Sequence, residues 1–220
     1  MLGILAVATA SALVFIVLPL VVAGQGRGQA TSGVHEAGRL WPFLYFTALG
    51  LGFLWIEIPL LQRFILYLDQ PTYSFAAVLF AILLWSGIGS LLSERDIGRT
   101  DLAVAAAGGL ALVYALATPA MFDATLGLPL AARIALSVLA LGPLGISMGI
   151  PSPRGIMLLG ETAPRLVPWA WAVNGSVSVV GAILATIMAL SFGFAWVMVL
   201  AAAAYLLAAA TIRLWTRTIQ

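Results

Sequence analysis

At 220 residues, 63% of them hydrophobic and 8% charged, with a mean hydropathy of +1.11, the chain carries too little polar surface to cover a soluble globule. Its ten basic residues are all arginine, so the net charge of +2 and the pI near 9.4 rest on arginine alone, and their placement between apolar stretches reports membrane orientation rather than a nucleic-acid surface. The lack of cysteine excludes disulfides, thiolate metal ligands and cysteine nucleophiles.

A helix rising about 1.5 Å per residue needs roughly 20 apolar residues to cross a hydrocarbon core of about 30 Å. The first stretch of that length, Leu2 to Val22, has no positively charged region ahead of it, which predicts a retained span rather than a cleaved signal peptide. A flexible loop is expected next, Gly24 to Gly38, with glycine at 24, 26, 28, 33 and 38. It contains the single histidine, His35, beside Glu36, which reads as a solvated loop residue because one histidine cannot build a multi-ligand metal site. Residues 1–40 thus form a first helix and loop, and residues 41–220 a six-helix membrane domain.

The second span, Trp41 to Leu61, carries Glu57 late in its course, with Pro59, Gln62 and Arg63 close behind. An ionisable group inside a span costs about 2.5–3.5 kcal/mol on insertion scales, so Glu57 is a candidate functional group. Two readings stay open: a pair with a snorkelling Arg63 that only fixes helix rotation, or a proton or cation site. Pro59 frees a carbonyl one turn back and predicts a kink beside the carboxylate. The third span, Tyr73 to Leu92, contains Gly87-Ile88-Gly89, which reads as a packing face rather than a phosphate loop. A short loop follows with Glu94, Arg95 and Arg99, then the fourth span, Leu102 to Met121.

The fifth span, Leu130 to Ile150, ends among Gly142, Pro143, Gly145, Gly149, Pro151 and Pro153. That density of helix breakers predicts a broken end and a sharp exit turn into a structured loop bearing Arg154, Glu161 and Arg165. In the sixth span, Val167 to Leu190, Asn174 is the second polar centre within the membrane, and Gly175, Ser178 and Gly181 make a small-residue seam suited to interhelical hydrogen bonding. Trp169 and Trp171 read as interfacial aromatics at its start. The seventh span, Phe192 to Leu214, follows so closely that the last two should form a tight antiparallel hairpin.

No β-barrel alternation is present, so the expected fold is all-α, a polytopic bundle of about seven spans. Arg27, Arg39, Arg95, Arg99, Arg154, Arg165, Arg213 and Arg217 fall on one side of it, and Arg63 and Arg133 on the other. The positive-inside rule then predicts a cytoplasmic C-terminus and an outside N-terminus, in a bacterial inner membrane. Catalytic, cofactor-binding and metal constellations are expected to be absent, and so is a nucleic-acid partner.

Two resemblances add to this. Leu49 to Phe64, with Glu57, Pro59 and Arg63, then Asp69 to Ser74 and Ser86 to Leu91, resemble the membrane part of large bacterial proteins identified as spermidine-synthase-like. Gly149-Ile150-Pro151-Ser152-Pro153 and Val167 to Gly175 are similar to that same part. The resemblance implies that helices of this kind accompany a soluble domain of aminopropyltransferase or methyltransferase type, which would bind an adenosylmethionine-type cofactor. Its catalytic residues have no counterpart in this chain. The loop Gly89 to Arg99 is similar to the major facilitator loop motif, with a longer spacing and a serine in place of the family's acidic residue, and six spans equal one facilitator half.

The sequence therefore supports a non-catalytic membrane subunit, or a detached membrane domain, that scaffolds or anchors a partner protein in a larger membrane complex. The alternative is a half-transporter or small-molecule binder acting as a dimer, with Glu57 and Asn174 near a central cavity. A third reading is an enzyme acting on a lipid or polyamine within the bundle, with Arg154, Glu161 and Arg165 meeting an anionic head group.

Overall fold

The computed structural model describes Gly3, residues 36–95 and residues 100–219, with no side-chain description at 36–39 and 95. The predicted first span and most of the Gly24 to Gly38 loop, His35 included, lie outside the described residues, as does Arg99. The helices are α1 (Glu36–Leu68), α2 (Pro71–Leu92), α3 (Thr100–Thr125), α4 (Leu130–Ala140), α5 (Gly142–Gly149), α6 (Pro151–Thr162), α7 (Val167–Phe192) and α8 (Phe194–Ile219). One-turn 3-10 helices lie at Ser93–Arg95 and Pro164–Leu166. Among the described residues, six helical stretches are long and apolar enough to cross a membrane, α4 to α6 counting as one of 33 residues. No strand occurs among the described residues.

The hub is α1. Its most apolar window is 56% buried against 17% for α7, and Tyr45, Phe46, Ile56, Leu60, Phe64 and Tyr67 are all within 1% of full burial. α1 packs more extensively on each of α7 and α8 than those two pack on each other, so the predicted hairpin exists at its turn while α1 sits against both arms. Gly193, at φ +91, makes that turn in a conformation that L side chains rarely adopt. On the other flank α8 packs on α3, and α2 packs on α4 and α5.

Two sequence expectations need correction here. Helix α1 begins at Glu36, so the last residues of the predicted loop are helical. The segment after Ile150 is not an exit turn and loop: α4, α5 and α6 follow one another with only Leu141 and Ile150 between them, both in right-handed helical conformation. The prolines explain it, since Pro143 and Pro151 occupy first-turn positions, where no backbone N–H is needed. The glycines serve contact rather than bending. A Cβ on Gly149 would collide with the backbone carbonyl of Ser86, and one on Gly89 with that of Ile146, so α2 and α5 touch backbone to backbone. Of the predicted Gly87-Ile88-Gly89 face, Gly89 is the packing residue and Gly87 faces open space.

Candidate functional site

Polar chemistry gathers at three places. At the arginine-poor end, Arg63 donates through Nη1 to the carbonyls of Tyr114 (3.3 Å) and Ala115 (2.9 Å) and to Thr118 Oγ1 (2.5 Å). Arg133 donates to the Tyr67 carbonyl at 2.6 Å and stands 5.7 Å over the Tyr67 ring. Tyr67 in turn stacks on Phe122 at 4.3 Å and shares a 2.7 Å hydrogen bond with Thr125. These contacts clamp the ends of α1, α3 and α4 together. Of the two readings of Glu57, the pair with Arg63 is not formed: Arg63 turns to α3, where Pro119 leaves the Ala115 carbonyl without its helical donor, and Glu57 is half-buried without a hydrogen bond or ion pair among the described residues.

At the arginine-rich end, α6 forms a fixed cap. Its stripe Pro151, Arg154, Gly155 and Leu159 is buried, at helical spacing. Gly155 abuts the rings of Tyr45 and Phe46, and Tyr45 Oη donates to the Pro151 carbonyl at 2.7 Å. Arg154 is only 8% exposed and donates to the Ser93 carbonyl through Nε and to Thr100 Oγ1 through Nη1, both at 3.2 Å. It thus braces α6 to the α2–α3 connection. Glu161, Arg165 and Glu94 remain exposed around this cap. Because about 20 residues suffice to cross the hydrocarbon, a 33-residue stretch from Leu130 carries α6 to or beyond the boundary.

Between these ends a groove of about 790 Å³ opens on the face of α1 between α2 and α7. Leu49, Phe53 and Leu54 form its floor. Ser86, Ser90 and Glu94 line the α2 side, Trp171, Asn174 and Ser178 the α7 side, and Ser152 and Met157 the cap. Asn174 Nδ2 donates to the Phe46 carbonyl at 3.2 Å, and Ser178 Oγ reaches the Gly50 carbonyl at 3.3 Å. The interhelical bonding expected of this seam is therefore present, although its small partner is Gly50 on α1, where a Cβ would lie 2.8 Å from the Asn174 carbonyl. Trp55 Nε1 extends the seam to the Gly181 carbonyl at 3.0 Å, while Gly175 faces open space.

Of the predicted site residues, the groove unites Asn174 with Glu94, and the cap unites Arg154, Glu161 and the neighbouring Arg165. Glu57 does not line the groove, but four residues past Phe53 it shares the stripe that forms the floor, one turn farther toward the arginine-poor end. Sequence reasoning missed Ser86, Ser90 and Ser152. The i, i+4 spacing of the first two was a usable signal. No group of three or more His, Cys, Asp or Glu side chains suited to a metal ion occurs among the described residues. No protein-family model matches this chain, and neither a curated protein nor a solved structure matches it.

Proposed function

We propose that the chain is a membrane-embedded anchoring subunit, the membrane part of a spermidine-synthase-like assembly, whose arginine-rich end holds a soluble partner domain on the cytoplasmic face. The observation that carries the reading is the Arg154 brace. The brace fixes α6 across this end of the bundle, and a docking surface benefits from being preorganised in that way. The exposed Glu161 and Arg165 then offer charges of both signs, suited to steering and register rather than to bulk affinity. The partner expected from the resemblance is a domain of the adenosylmethionine-binding type, whether on a separate chain or joined to this one.

A photocrosslinking residue placed at 161 or 165, in native membranes, tests this. The expected result is adducts to one soluble-type domain from both positions and none from the outward-facing Val179 of α7, with Arg165→Glu reducing the yield severalfold. Crosslinks from 161 and 165 to lipid alone would refute the anchoring reading.

A further inference from the structure

Anchoring does not account for the groove beside the cap. Its size falls within the roughly 300–1,000 Å³ typical of small-molecule sites. Three features define what would fit it. First, the floor and one mouth are apolar and aromatic: Phe53 and Trp171, with Met157 at the cap, and Trp171 is 60% exposed along the open side. Second, Glu94 is the only charged residue that lines the groove among the described residues, and it brings a carboxylate to the cap end. Third, the uncommitted polar atoms are weighted toward acceptors. Asn174 gives one of its two amide hydrogens to the Phe46 carbonyl, its Oδ1 has no partner among the described residues, and the hydroxyls of Ser90 and Ser152 make no hydrogen bond there.

We propose that this groove binds an amphiphilic organic amine in its ammonium form, with the charged head near Glu94, Ser90 and Ser152 and the apolar body along Phe53 and Trp171. An ammonium supplies three donors and no acceptor, which matches what the walls leave unsatisfied. Aromatic faces add a cation–π attraction that a neutral or anionic head does not gain. A rim open sideways lets such a molecule enter from the interfacial layer of the membrane, where an apolar body with a polar head already resides.

The lack of native cysteine makes the test clean, because a single introduced thiol is the only one in the chain. Ser90→Cys places it in the groove, and Glu161→Cys places it on the cap as a control. Maleimide labelling of each, in nanodiscs, is followed in the presence of three ligands that share a body: 4-phenylbutylamine, 4-phenylbutanol and 4-phenylbutyrate. At an amine concentration ten times its Kd, mass action slows labelling at 90 about tenfold. Labelling at 161 should be unchanged, and Glu94→Gln, a change at an exposed position, should abolish most of the protection. Equal protection by the alcohol, or stronger protection by the carboxylate, would overturn the ammonium assignment. A thiol at 90 that labels at the same rate with and without each of the three ligands, or not at all, would overturn the site.

Discussion

Two intramembrane charges, Glu57 and Arg63, are near neighbours in sequence and strangers in space, and that separation decides what each does. Arg63 is a fastener, since three acceptors on α3 take its donors. Glu57 has no partner among the described residues, which makes its neutralisation informative. Glu57→Gln is expected to leave thermal stability in detergent unchanged or to raise it by about 1 kcal/mol, a fraction of what a fully lipid-buried acid costs. A clear loss would reveal a cation beside it. Arg154 is the opposite case. Arg154→Ala is expected to destabilise by about 2 kcal/mol or more, through the loss of two charge-assisted bonds and the stranding of the Ser93 carbonyl. Arg154→Lys should recover only part of it, because an ammonium lacks the fork that reaches two acceptors at once. Thermal denaturation monitored by fluorescence measures all three.

At the scale of elements, stability turns on how closely helices approach. α2 and α5 meet at Gly89 and Gly149 with no room for a methyl group against backbone that cannot rotate away. Either glycine replaced by alanine is expected to cost at least about 3 kcal/mol, or to abolish folded yield. Gly87→Ala, two residues away in open space, should be neutral or slightly stabilising through better helix propensity. Gel filtration of the three variants in detergent separates these outcomes. The same crossing explains where sequence reading stopped. Apolar length located six spans well, because burial in lipid demands it whatever the tertiary contacts. Gly142, Gly145 and Gly149 read as helix breakers because their sequence context shows flexibility, while their use is to admit Trp85 and Ser86 of α2, a fact that only tertiary packing holds. Asn174 was legible as an interhelical bonding residue, since polar side chains in spans seek partners. Its partner carbonyl at Phe46, 128 positions away, was not. The groove was invisible for the same reason, being made from the leftover faces of several helices far apart in sequence.

For the whole molecule, α1 packs against α2, α7 and α8, with a clamp at the arginine-poor end and a braced cap at the arginine-rich end. A partner domain at the cap and the sign of every orientation argument require that the cap face the cytoplasm. The most direct test uses the cysteine-free chain with a single thiol at Glu161→Cys or at Gly127→Cys, two exposed positions at opposite ends of the bundle. Each is exposed to a membrane-impermeant maleimide, first in intact spheroplasts and then in inverted vesicles. The account predicts labelling at 127 only in spheroplasts and at 161 only in inverted vesicles. The reverse pattern, or both thiols reacting from the same side, would contradict it.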